Sequence, residues 1–222
     1  MLLIALFAID DHQDPPIDVQ MRNTLMSIFV RDISDSGLDD IEQYASDVCG
    51  WQGVTCAGHD IVQIRMRDKK YGNFALDMLP STLRQLEIVM CKQKYPLNIR
   101  CLPGGLVSFS VFGNQMFGRL DLTILPRHLE EATFHRNRFN GPIVLLNLPS
   151  NLKYLDVMNN AIVQDTLWYD HIPENLKKIW LIKGSSVGLH EKNRIKKVRP
   201  AYSGVSMAEK VTFVGVRQEK VF

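Results

Sequence analysis

A chain of 222 residues holds one large domain or two small ones. Its 45% apolar and 23% charged residues are the makeup of an ordinary soluble folded protein. A net charge of +2 gives no basis for a nucleic-acid or anionic-membrane protein, and no apolar run approaches the ~18–20 residues needed to span a bilayer.

The first nine residues, Met1 to Ile9, are apolar and leave three readings open. They form the apolar stretch of a secretory signal with Ala8 near the cleavage point, a short strand or helix packed on the next helix, or the start of an incomplete gene model. Asp10, Asp11, His12 and Asp14 read as a solvated arm, so 1–14 is an arm or a remnant signal. After Pro15-Pro16, Ile17, Met21, Leu25 and Phe29 recur every four residues and predict an amphipathic helix. A second short helix is predicted from Leu38 to Tyr44, making 15–60 a helical N-terminal cap. Its end carries Cys49-Gly50-Trp51-Gln52-Gly53-Val54-Thr55-Cys56. The four cysteines allow three pairings if all are bridged. No Cys-x-x-Cys occurs and the histidines do not cluster with the thiols, so nothing has zinc-ligand spacing and no cofactor motif is present.

From residue 61 to 184 the chain repeats. Leu79-Pro80, Leu102-Pro103, Leu125-Pro126 and Leu148-Pro149 stand 23 residues apart, and Ile172-Pro173 comes after 24. Aligned on them are Leu83-x-x-Leu86-x-Ile88-x-x-Cys91, Leu106-x-x-Phe109-x-Val111-x-x-Asn114, Leu129-x-x-Ala132-x-Phe134-x-x-Asn137 and Leu152-x-x-Leu155-x-Val157-x-x-Asn160. Looser copies begin at Ile61 and Leu176, giving about six turns of 22–24 residues. Alternate apolar residues point one way from a short strand, into a core. The asparagines turn inward, where their amides satisfy backbone groups left unpaired at each bend, and Cys91 substitutes in that column. Gly118 and Gly141 supply turn conformations, and the recurrent proline discourages a long helix on the convex side.

The pattern resembles the leucine-rich repeat, Leu-x-x-Leu-x-Leu-x-x-Asn-x-Leu. The resemblance implies an α/β-type solenoid with a parallel sheet on its concave face and a mostly non-helical convex side. Residues 49–56 resemble Cys-x-Trp-x-Gly-Val-x-Cys, which ends the N-terminal cap of plant-type extracellular leucine-rich-repeat proteins. That resemblance implies a Cys49–Cys56 disulfide and a buried Trp51. Val48 stands where that family has a further cysteine. The alternative is a pair of reduced, buried thiols in a cytosolic relative. Leu-Pro before each strand is also similar to leucine-rich-repeat proteins of unicellular eukaryotes, including kinetoplastid surface-antigen-like proteins. An extracellular or cell-surface location is implied, with the cytoplasm as the alternative.

In this register the outward positions form a binding map. Gln63, Gln85, Ser108, Glu131, Tyr154 and Lys178 make one column; Arg65, Glu87, Ser110, Thr133, Asp156 and Trp180 a second; Arg67, Val89, Phe112, His135, Met158 and Ile182 a third. Arg65, Glu87, Val89, Phe112, His135, Tyr154, Asp156, Met158 and Trp180 are the candidate contacts for a protein or peptide ligand, because aromatic anchors carry most binding energy. The competing reading has the C-terminal segment fold over Trp180 and Ile182. Six strands ~4.8 Å apart expose a strip of only ~300 Å², against ~800 Å² per partner in a standard interface. Loop residues Met90, Gly113, Arg136 and Asn159 must therefore contribute, or the ligand is a short peptide.

Residues 185–222 read as a C-terminal cap or basic tail. The run Glu191 to Pro200 contains no aromatic residue among its charges, which favours a solvated capping helix or loop over contact with nucleic acid or an acidic partner. Val211 to Val216 has strand composition and is placed at the solenoid's end. His190-Glu191 lacks a second metal-ligand histidine, no phosphate loop occurs, and His135 with Glu131 has no nucleophile beside it. The sequence thus points to a non-enzymatic binding module, with a structural subunit or a tail-mediated contact as the alternatives.

Overall fold

The computed structural model describes residues 17–43, 45–182, 193–203, 211–216 and 221. The apolar N-terminal stretch, the acidic cluster, Tyr44 and His190-Glu191 lie outside the described residues.

Each Leu-Pro or Ile-Pro pair opens a turn. The proline carbonyl accepts the backbone N–H three residues on, from Leu83, Leu106, Leu129, Leu152 and Leu176, at 3.0–3.1 Å. The proline is the first residue of that turn, the two residues after it form the bend, and a strand follows. Strands Asp60–Arg67, Gln85–Val89, Ser108–Ser110, Glu131–Thr133, Tyr154–Asp156, Lys178–Trp180 and Thr212–Val214 pair side by side in parallel, in chain order. They are called rungs one to seven below. Val54–Ala57 closes the sheet antiparallel to rung one. Inward residues Leu86, Phe109, Ala132, Leu155 and Ile179 form one fully buried column, flanked by Ile88, Val111, Phe134, Val157 and Leu181. Each such Leu or Ile contributes about 1.5–3 kcal/mol, so stability comes from stacking turns that could not fold singly.

The return half of each turn holds no α-helix among the described residues. It has short 3-10 turns at Ile99–Cys101 and Leu122–Ile124, opened by the side chains of Asn98 and Asp121. Elsewhere it is extended: Phe117–Arg119 pairs with Arg138–Asn140, and Val163–Tyr169 with Arg194–Pro200.

The asparagine column is a hydrogen-bond ladder. Asn114 Oδ1 accepts the N–H groups of Cys91 and Gln93, while Nδ2 donates to the carbonyls of Ile88 and Val111 at 2.7 and 3.0 Å. Asn137 and Asn160 repeat this one and two turns later. Cys91 fills the same column with its weak S–H donor on the Met66 carbonyl at 3.4 Å. Burial pushes its thiol up to about 11, so it remains protonated at neutral pH.

The ladder continues past residue 184, where the repeats read from the sequence end. Asn193 is buried and donates to the carbonyls of Val157 and Leu181 at 2.6 and 2.8 Å, taking the position at which the repeat alignment placed Gly184. Nine extra residues intervene, and that insertion hides the continuing period. The basic run after it is a strand, not a capping helix or loop. Ile195 and Val198 face the core, and rung seven then joins the main sheet.

At the other end, the helix Ile17–Phe29 buries Val19, Arg22, Met26 and Phe29. The four-residue spacing through Met21 and Leu25 is corrected: Met21 is 60% exposed and Leu25 only half-buried. Strict steps of four drift about 40° each around the axis, whereas alternating threes and fours hold one face. The second helix runs Asp35–Glu42, three residues earlier than predicted, because Ser34 caps it. No helix among the described residues is long and apolar enough to cross a membrane. Cys49 and Cys56 are disulfide-bonded with Cα atoms 5.7 Å apart, and Trp51 is buried. Closing so short a loop removes about 2–3 kcal/mol of denatured-state entropy. Beside it the buried Arg22 guanidinium reaches the His59 carbonyl and the Asp47 carboxylate, at 2.9 and 2.6 Å.

Asp47 also accepts the Cys49 N–H at 2.7 Å, and that bond, helped by Arg22, holds its carboxyl below the ordinary 3.8. A depressed carboxyl stabilises the fold above its ordinary value, and the contribution is lost as pH falls through the folded value. Asp47→Asn is therefore expected to shrink the drop in melting temperature between ~pH 5 and ~pH 3 relative to wild type. Parallel melting curves for both proteins across that range check it.

Candidate functional site: the outer face of the sheet

The pairing register puts the outward columns together as the repeat alignment does. Arg65, Glu87, Ser110, Thr133, Asp156 and Trp180 are successive partners across rungs one to six. Gln63, Gln85, Ser108, Glu131, Tyr154 and Lys178 are likewise in register. The nine candidate contacts therefore share one face, which has three zones of different chemistry.

The first zone is charged. Glu87 receives Arg65 Nε at 3.3 Å and Arg67 Nε at 3.1 Å, so two guanidiniums converge on one carboxylate. Gln63 bridges Thr55 and Gln85 alongside.

The middle zone is a depression of about 430 Å³. Its floor is Ser108, Ser110 and Thr133, and its walls include Arg67, Val89, Met90, Phe112 and Glu131. Sequence reasoning missed it, since the signal was the absence of bulk at three outward positions rather than a distinctive side chain.

The third zone is aromatic. Phe112 meets His135 edge-on at 5.3 Å between ring centroids, and Tyr154 lies 6.0 Å from Trp180. Lys178 stands over the Trp180 ring at 4.9 Å and Lys177 over Tyr154 at 5.9 Å. His135 is held from both ring nitrogens: Nδ1 to Asp156 and Nε2 to the Asn159 amide, each at 3.0 Å. Asp156 is itself pinned by the Met158 N–H at 2.9 Å. Such fixed rings present contact area without an ordering penalty on binding.

The turns ending the rungs share one device. Asp68, Met90, Gly113, Arg136 and Asn159 all take left-handed φ, between 52° and 72°. Met90 and Arg136 project as exposed rim residues, but Asn159 is buried by its bond to His135 and adds no loop contact. Trp180 is half-exposed; among the described residues rung seven lies beside it, not over it, while Gly215 packs on Ile182.

Solenoid turns of this length, a parallel sheet backed by extended segments and an asparagine ladder define the leucine-rich-repeat fold. Solved structures bear this out at the level of fold. A pollen receptor kinase 3 structure aligns with 90% of this chain and 95% of its own, at a TM-score of 0.64 and 16% identity. The BIR2 ectodomain from Arabidopsis thaliana covers 66% of this chain and 82% of its own, at 0.54 and 16%. A chain of the BIR3–SERK2 complex from Arabidopsis thaliana covers 69% and 86%, at 0.51 and 18%. No family model matches the sequence, and no curated protein matches it.

Proposed function

We propose that this chain is a non-enzymatic binding module that captures a protein or peptide on the outer, concave face of its sheet. The observation that carries this reading is the aromatic zone. The core encloses Phe109, Phe134 and Phe139 completely, yet Phe112, Tyr154 and Trp180 stand half-exposed on the opposite face, Phe112 against His135 and Tyr154 beside Trp180. Sheet stability asks for no aromatic there, and rigid aromatics are the usual anchors of interfaces. A fold shared with the BIR2 ectodomain and with a chain of the BIR3–SERK2 complex supports the same reading.

Arg65 and Glu87 form the charged end of the surface, Val89 and Phe112 wall its middle depression, and His135, Tyr154, Asp156, Met158 and Trp180 make its aromatic end. The ligand's central side chain would occupy the hydroxyl-floored depression. The repeats at 61–184 and the helical cap at 15–60 serve this face as scaffold. We read the cap as plant-type, which its disulfide and buried Trp51 support, and the disulfide supports an extracellular or cell-surface setting.

Peptides selected from a display library on the immobilised protein test the proposal. Phe112→Ala/Tyr154→Ala is expected to weaken their binding by roughly tenfold or more at unchanged melting temperature. Unchanged binding by the double variant would sink it.

A further inference from the structure

The two-stranded ribbon on the return side of the last turns carries a second surface. Val163–Tyr169 and Arg194–Pro200 run in parallel, with Val163 opposite Arg194, Thr166 opposite Lys197 and Trp168 opposite Arg199. Partners in a parallel pair project to the same side of the sheet. Ile195, Val198, Leu167 and Tyr169 are buried, while Arg194, Lys196 and Arg199 are exposed and Lys197 is half-buried. In sequence the run itself contains no aromatic residue, and Tyr202, 66% exposed, follows two residues after Pro200. The fold adds Trp168, 43% exposed and paired opposite Arg199. The carboxylate within the ribbon, Asp165, pairs with Lys196 at 2.9 Å in a fully solvated contact that a ligand would displace at little cost.

We propose that this ribbon binds an acidic glycan, its carboxylates or sulfates meeting the ribbon's exposed cations and its sugar rings lying on Trp168 and Tyr202. The C–H-rich face of a pyranose packs flat against an aromatic ring, and strand geometry spaces Arg194 and Lys196 ~7 Å apart. Three observations select this occupant among polyanions. The Cys49–Cys56 disulfide fits an oxidising compartment, where glycans rather than nucleic acids are encountered. The chain's net charge of +2 is too small for the general field of a nucleic-acid binder. Asp165 lies between Val163 and Trp168, so inserting these apolar groups into a lipid headgroup layer would bury a carboxylate.

The test is a binding titration of the full chain against alginate oligouronates, dextran sulfate, neutral dextran and a single-stranded oligonucleotide, read by tryptophan fluorescence and calorimetry. Binding to the oligouronate or to dextran sulfate, absent with dextran and weakening as salt rises from ~0.05 to ~0.3 M, is expected, and the tighter of the two arms identifies the acidic group. Trp168→Ala should lower that affinity roughly five- to tenfold and Arg194→Ala/Lys196→Ala by at least as much, at unchanged melting temperature. Phe112→Ala/Tyr154→Ala should leave it untouched, which separates this surface from the sheet face. Equal binding of neutral dextran, tighter binding of the oligonucleotide, no binding of either acidic glycan, or an unaffected Trp168→Ala would each overturn the proposal.

Discussion

Asn160→Asp is expected to lower stability by about 3–5 kcal/mol, although it exchanges only one amide NH₂ for an oxygen. Asn160 is fully buried, and its Nδ2 donates to the carbonyls of Phe134, Val157 and Met158 at 3.0–3.1 Å. Its Oδ1 accepts the Phe139 N–H at 3.1 Å. An ionised carboxylate there would face three carbonyl oxygens with no cation at hand. A protonated one would offer a single donor to three acceptors. Asn151→Asp, on an exposed turn nearby, should change stability by no more than ~0.5 kcal/mol. Urea unfolding of the pair checks the contrast, and equal midpoints would mean that the ladder is ornamental.

The second large effect is expected in the cap. Gly53→Ala should cost about 2–4 kcal/mol, whereas Gly58→Ala should cost about 1. Both glycines have positive φ, 85° and 61°. A Cβ on Gly53 would meet the Arg65 carbonyl oxygen at 2.2 Å, while one on Gly58 would meet nothing within 4 Å. Nor can the backbone at Gly53 retreat. Its carbonyl accepts the Arg65 N–H at 2.7 Å, and Val54 is paired with Ile64. Thermal melts of both variants measure the difference. Similar losses at the two sites would show that backbone conformation alone, without the close approach, sets the requirement.

Features that recur along the chain were legible in the sequence, and features that occur once were not. The rung columns were readable because alternation and the Leu-Pro interval recur, so Leu155 and Asn160 could be placed in the core and Tyr154 and Asp156 outside it. Asn193 escaped because nine inserted residues break the interval while leaving the hydrogen bonding unchanged. The helix face through Met21 was misplaced by a four-residue step that one short helix cannot correct. The Ser108-Ser110-Thr133 floor was invisible to a search for distinctive side chains. Trp168 beside Arg199 is a contact between strands of the return half, where no repeated residue marks the register. The Cys49–Cys56 bridge came through resemblance, since counting cysteines leaves several pairings open.

In the proposed function the outer face of the sheet is the ligand surface. Hydrogen–deuterium exchange of the full chain, with and without a display-selected peptide at saturation, tests it most directly. Slowed exchange is expected in segments 108–113, 131–136 and 154–158, with the ribbon at 194–200 unchanged. Protection confined to the ribbon, the cap helices or the return segments, with those rungs unaltered, would contradict it.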